Sequence, residues 1–106
     1  MTDVTPDQKP RKRIIDSAAQ RVKLDADPNC RVCSDRATDP HHILLRSQGG
    51  DDIEDNIMPL CFDCHRRYHN GKVNLWLKPK ELIYILDRMG REKGIEYLKR
   101  RRIEWS

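Results

Sequence analysis

Apolar residues along this chain of 106 come in short groups separated by polar and glycine-rich stretches. Residues 1–12 contain two prolines, are almost wholly polar and show no periodicity, so they read as a disordered basic arm. Lys9, Arg11, Lys12 and Arg13 form a small cluster there, suited to a phosphate backbone or simply to solvent. Ile14, Ile15, Ala18, Ala19 and Val22 fall roughly on one side of a predicted helix over residues 13–23, a lead-in covering the module that follows. Asp27, Pro28 and Asn29 mark a turn. A β-hairpin is predicted over residues 42–56: a strand at 42–45, a break at Gly49-Gly50, four acidic residues, and apolar character again at Ile57-Met58.

Residues 61–70 predict a short helix, which Gly71 is placed to stop. After Pro79, Leu82, Ile85, Leu86 and Met89 recur at helical spacing over residues 80–89, and Gly90 ends or bends that helix. Residues 91–102 predict a last helix with Ile95 and Leu98 inward. The organisation is therefore an arm (1–12), a helical lead-in (13–29), a central module (30–71) and a basic helical extension (72–106), within one compact domain.

Composition sharpens this picture. Only 37% of the chain is hydrophobic and 36% is charged, too little apolar material for a generous core, so a small domain needs other staples. Four cysteines are available. No apolar run resembles a signal peptide or a membrane span, which predicts a cytoplasmic location where thiols stay reduced and bind metal in preference to forming disulfides. The net charge of +4 is unevenly spread: Lys and Arg against Asp and Glu number six and five over residues 1–29, five and seven over 30–71, and ten and five over 72–106. Nucleic acid is the default partner for such a basic third. Its densest run, Lys99, Arg100, Arg101 and Arg102, suits phosphate contact, but cations at a helix C-terminus also suit the macrodipole.

Cys30-x2-Cys33 and Cys61-x2-Cys64 form two knuckles, able together to close the coordination of one tetrahedral zinc ion. With all four positions filled by thiolates, such a site is structural. The four histidines, His41, His42, His65 and His69, lie between the first knuckle and the residues just past the second. In a strand, His41 and His42 face opposite ways, so one can hold a metal while the other stays free as a base. His65 and His69, four apart on a helix, share a face suited to one metal.

The stretch from Cys30 through Pro40-His41-His42-Ile43, Arg46-Ser47-x-Gly49-Gly50-Asp51, Asn56-Ile57, Leu60-Cys61-x2-Cys64-His65 and His69 resembles the HNH endonucleases, especially their zinc-stapled bacterial and phage members. The resemblance implies an α+β fold, a ββα-metal finger with a four-cysteine zinc site flanked by short helices. It implies a metal-dependent DNA endonuclease in which His42 is the general base and Asn56, the family's middle N, holds the hairpin and the His42 ring. Arg46 is then a candidate for the scissile phosphate. His41 and His65, with His69 as a third ligand, would hold a single divalent ion. Many members carry Asp in place of His41; the His-His form resembles nuclease colicins and leaves magnesium, manganese, nickel and zinc open. Arg66, Arg67 and Lys99 to Arg102 are the candidate nucleic-acid contacts. The partner implied is double-stranded DNA read with little sequence specificity, through phosphate contacts. Small free-standing relatives of this kind resemble phage or prophage proteins that work with DNA-processing machinery such as a packaging motor. A non-catalytic zinc module that binds nucleic acid would explain the cysteines and the charge, but not the histidines and Asn56.

Overall fold

A computed structural model describes residues 12–106. The predicted arm therefore lies outside the described residues, apart from Lys12. In chain order the structure has helix α1 (Ala19–Ala26), strand β1 (Asp39–His42), strand β2 (Ile57–Leu60), helix α2 (Phe62–His69), strand β3 (Leu75–Trp76), helices α3 (Pro79–Met89) and α4 (Arg91–Arg100), and strand β4 (Ile103–Glu104). It is an α+β fold whose centre is a ββα finger of β1, β2 and α2. No helix among the described residues is long and apolar enough to cross a membrane.

β1 and β2 pair antiparallel with His41 opposite Met58 and His42 opposite Ile57. The predicted strand at 42–45 is thus displaced: pairing covers 39–42, and Ile43, Leu44 and Leu45 leave the ladder. Long-range bonds replace it. The Asn56 side chain accepts from Leu44 N (2.8 Å) and donates to Leu44 O (3.1 Å) and Asp51 O (2.9 Å). The Tyr97 hydroxyl donates to Ile43 O (2.8 Å) and accepts from Leu45 N (3.3 Å). Single 3-10 turns at Arg46–Gln48 and Glu54–Asn56 complete the connection. At Gly50 a Cβ would lie 1.7 Å from the Leu44 carbonyl oxygen, so only glycine lets the loop fold back this closely.

The lead-in helix also differs from expectation. It begins at Ala19, and Ile14, Ile15 and Val22 are exposed. Hydrogen bonds to the acidic loop explain this. Ile14 N donates to Asp51 Oδ1 (2.6 Å), Asp16 N to Asp52 Oδ2 (3.0 Å) and Asp52 N to Ile14 O (2.8 Å). With Ile14 held by the loop on both its N–H and its carbonyl, the chain there runs along the loop, and its carbonyl is taken from any helix.

α2 starts where expected, with the Cys61 sulfur accepting from Cys64 N at its N-terminus. α3 opens with Pro79 in its first turn and a capping arrangement in which Lys78 N donates to Glu81 Oε1 (2.8 Å). α4 stops at Arg100, short of the expected 102. Arg102 takes a left-handed conformation (φ 59°), and Ile103 and Glu104 pair in parallel with Leu75 and Trp76. A pair of two-residue strands carries no local pattern to read.

One core serves the finger and the extension together. Ile43, Leu44, Met58, Leu60 and Tyr68 of the finger are buried with Leu75, Ile85, Leu98 and Ile103 of the extension. Buried Glu81 on α3 grips Arg31 between the first two cysteines with two bonds (2.8 and 2.9 Å).

Candidate functional site

Two donor clusters flank the finger. Cys30, Cys33, Cys61 and Cys64 bring their sulfurs within 4.8 Å of one another, and Cys33 and Cys61 approach to 3.7 Å. Four thiolates around one zinc at Zn–S bonds of about 2.3 Å would be spaced by roughly 3.8 Å, so the cage has the size for that ion. Its electrostatics call for a cation. Burial opposes ionisation of Cys30, but backbone N–H groups of Cys33, Cys61 and Val32 outweigh it and bring that thiol down to about 7. Burial and the three neighbouring sulfurs push Cys64 the other way. Four crowded sulfurs cannot all ionise without a positive ion among them. The four-cysteine site can hold zinc.

His41, His65 and His69 form the second cluster, their donor nitrogens likewise within 4.8 Å. α2 places His65 and His69 one turn apart, with their Nε2 atoms 3.1 Å from each other. Asp39 at the start of β1 takes His65 Nδ1 at 2.9 Å, which directs Nε2 into the cluster. His41 comes in from β1, its ring edge-on to His65 and Tyr68 at centroid distances of 5.1 and 5.5 Å. His41 Nε2 is buried without a hydrogen-bond partner. Burial first, then the charges of His65, His69, Arg101 and His42, push its imidazolium down to about 3, so near neutral pH it offers a lone pair. Burial and the charges of His65, Arg101 and Arg102 lower His69 as well. Three imidazoles, with the His41 ring held neutral and its nitrogen unpartnered among the described residues, fit a divalent ion and leave positions open for other ligands.

His42 faces elsewhere. Its Nε2 lies 2.8 Å from Asp52 Oδ1. Burial would raise Asp52, but the Asp16 N–H, His42, Arg13 and Arg46 outweigh it and hold the carboxyl below its ordinary range. Arg13 Nη2 contacts Asp52 Oδ1 at 2.7 Å and also donates from Nε to Gly50 O (2.7 Å). It is engaged within the molecule rather than open to a phosphate backbone. Arg46 is half exposed, with Nε 3.6 Å from the same Asp52 oxygen.

Asn56 is fully buried and holds the backbone of 44 and 51, not the His42 ring. The ring's partner is Asp52, which sequence reasoning missed. Asp52 stands among four acidic residues after Gly49-Gly50, and no local signal separates it from the others. Asp39, Tyr84 and Tyr97 were missed for the same reason. Tyr84 exchanges bonds with Asp51, as acceptor from N (3.0 Å) and donor to Oδ2 (2.8 Å), and Arg88 reaches the same carboxylate at 3.2 Å.

The basic candidates divide. Arg66, stacked 5.5 Å over Phe62, and Arg67 are exposed on α2. Lys99 and Arg100 are exposed on α4, Arg100 lying 3.6 Å from Glu96. Arg102 is occupied: it donates to Tyr68 O (2.6 Å) and Val73 O (3.0 Å) and stacks 4.8 Å over the Tyr68 ring. Arg101 turns away from the exposed run to stack on Tyr97 at 5.7 Å, beside the histidines. The run 99–102 is therefore not one continuous phosphate-tracking surface.

Comparison with known proteins agrees with this geometry. Residues 30–71 match the family model of the HNH endonucleases. Over 60 residues the chain is 33% identical to Anaredoxin of Nostoc sp., a stretch covering 55% of this chain and 79% of that protein. Over 46 residues it is 44% identical to the Type IV methyl-directed restriction enzyme EcoKMcrA of Escherichia coli, covering 43% of this chain but only 15% of that enzyme. The matched segment contains both knuckles, all four histidines, Asp52 and Asn56. By sequence, ligand set and ββα geometry alike, the chain belongs to the HNH endonuclease family.

Proposed function

We propose that the protein is a metal-dependent endonuclease that hydrolyses phosphodiester bonds in double-stranded DNA. The observation that carries this reading is the divergence of two adjacent histidines. His41 turns an unpartnered nitrogen into a three-imidazole cluster, while His42 turns to a buried carboxylate. One strand thus separates a metal ligand from a base.

Asp52, held ionised, accepts from His42 Nε2–H and leaves Nδ1 as the proton acceptor. His42 takes the proton of the attacking water, whose oxygen bonds to phosphorus as the bond to the 3′ oxygen breaks and that oxygen is protonated by solvent. Asn56 fixes the loop after His42, and Tyr97 fixes its two ends. His41, His65 and His69 would hold the divalent ion, with Asp39 orienting His65. Bound there, that ion supplies charge stabilisation to the phosphate and the departing oxygen. The four cysteines would hold structural zinc, which would fix α2 relative to β1.

Arg46, Arg66, Arg67, Lys99 and Arg100 are exposed and available to phosphates on either side of the cut. Contacts of that kind carry little sequence information, so binding weakens with salt. The restriction-enzyme relative supports DNA as the polymer. Four free thiols suit the reducing cytoplasm, and work beside phage or host DNA-processing proteins rests on the family resemblance.

The test is plasmid relaxation by wild type and His42→Ala, with magnesium, manganese, nickel or zinc added and bound structural zinc measured in both. Wild type should nick or linearise the plasmid, and zinc-loaded His42→Ala should lose about a hundredfold or more of that rate. Equal activity would remove His42 as the base. Binding without cleavage under every ion would leave a non-catalytic nucleic-acid module.

A further inference from the structure

The described residues contain three buried side-chain nitrogen or oxygen atoms without a hydrogen-bond partner, and two of them lie around the same place: His41 Nε2 and Arg101 Nε. The orphaned imidazole nitrogen is accounted for by a cation. The orphaned guanidinium nitrogen is not. A buried unsatisfied donor on a charged group is expensive to keep, which makes it a mark of a missing partner.

Arg101 is fixed through two tyrosines. Its carbonyl accepts the Tyr68 hydroxyl at 2.6 Å, and Tyr68 lies between His65 and His69 on α2 with its ring against His41. Its guanidinium stacks on Tyr97, whose hydroxyl ties down the backbone directly after His42. The charge sits close enough to the cluster to act on both His41 and His69. No carboxylate pairs with it among the described residues. A divalent ion held by the three imidazoles would share this region with the fixed cation, and two positive groups so placed repel unless an anion screens them. A guanidinium presents a planar fork of donors that matches phosphate oxygens.

We infer that Arg101 binds the DNA phosphodiester seated at the three-histidine cluster, so that the C-terminal extension supplies the anion-binding half of the active site. This rests on the nuclease reading of the cluster and deepens it. Arg101 acts separately from its neighbours: Lys99 and Arg100 face solvent, Arg102 is bound to backbone carbonyls, and among the described residues Arg101 alone has an unfilled buried donor beside the histidines.

The experiment follows the Arg101 Nε–H signal by NMR in zinc-loaded protein without added divalent ion, titrated separately with a short DNA duplex and with inorganic phosphate. Plasmid cleavage by Arg101→Gln and Arg101→Lys is measured alongside, with bound zinc and the unfolding midpoint as folding checks. Exposed Lys93→Gln serves as the charge-matched control. The expected result is that duplex moves the signal at lower concentration than phosphate does. R101Q should bind duplex about tenfold more weakly and cut about a hundredfold more slowly. R101K, which keeps the charge but loses the fork, recovers part of that loss, and Lys93→Gln matches wild type. A signal moved by phosphate but not by duplex would make this a free-anion site and overturn the inference. So would an unmoved signal, or folded R101Q that binds duplex like wild type. If wild type cuts no DNA under any ion, the nuclease reading fails, and the duplex titration still decides Arg101 by itself.

Discussion

The four-cysteine and three-histidine clusters share helix α2 and strand-flanking residues of the same finger, yet differ in what they leave free. Cys61 and Cys64 enter from the first turn of α2, His65 and His69 from the rest of it. The cysteine cage is full at four charged ligands, so a metal there has no position left for anything else. The histidine cluster offers three imidazoles and, among the described residues, an unpartnered His41 nitrogen beside an Arg101 side chain with no carboxylate partner. On the proposed reading, the same helix anchors a closed site and an open one because ligand number and charge, not location, separate staple from reaction centre.

Breaking the closed site should have the largest effect. Removal of zinc from the cysteines, or Cys64→Ser, withdraws binding free energy on the order of 10 kcal/mol from a domain with a small core. The far-ultraviolet spectrum and the unfolding transition should both be lost, not merely activity. A folded, metal-free protein with its cooperative transition intact would show that the shared core suffices and that the two sites are more alike than proposed.

A smaller loss should come from Asp52, the residue proposed to aim His42 at the open site. Asp52→Asn keeps the size of the side chain but removes the charge facing His42 Nε2. Plasmid cleavage should fall by about tenfold to a hundredfold, with zinc content unchanged and the pH–rate profile displaced. An unaltered rate and profile would return the orienting role to Asn56.

Acid separates the clusters most finely. His41 is depressed to about 3 in the folded chain against about 6.5 when unfolded. Between those values the unfolded chain binds the extra proton, so stability is complete above pH 6.5 and declines as pH falls toward 3. In zinc-loaded protein without a second metal, lowering the pH from 6.5 to 5 should cost wild type about 1–2 kcal/mol more than His41→Phe, read from unfolding midpoints. Equal acid sensitivity would mean that His41 is not held neutral by its surroundings.

The two donor clusters were readable from sequence because residue types suited to a metal repeat at fixed spacings: Cys-x2-Cys twice, and His65 and His69 one helical turn apart. α2 and α3 were readable too, since Gly71, Pro79 and Gly90 punctuate them. What escaped was whatever depends on distant partners. Asp52 gains its role from Arg13, Asp16 and His42, and the start of α1 is set by the same acidic loop. The β3–β4 pair joins residues 28 apart, and no window along the chain contains both strands. The lysine and arginine run at 99–102 looked uniform, yet it divides into two solvent-facing cations, one packed on Tyr97 beside the histidines and one bonded to backbone.

The Tyr97 hydroxyl, bonded to the carbonyl of Ile43 and the amide of Leu45, has a consequence for how this finger is inherited. Every ligand lies within residues 30–71, so the segment looks like a unit that could be spliced into any host protein. Its fastenings, however, come from outside that segment. The strand leaving His42 is fastened by a phenol from α4, the acidic loop by Tyr84 and Arg88 from α3, and the end of α2 by Arg102. In this chain the donor pattern is local to residues 30–71, while its mounting comes from Tyr84, Arg88, Tyr97 and Arg102.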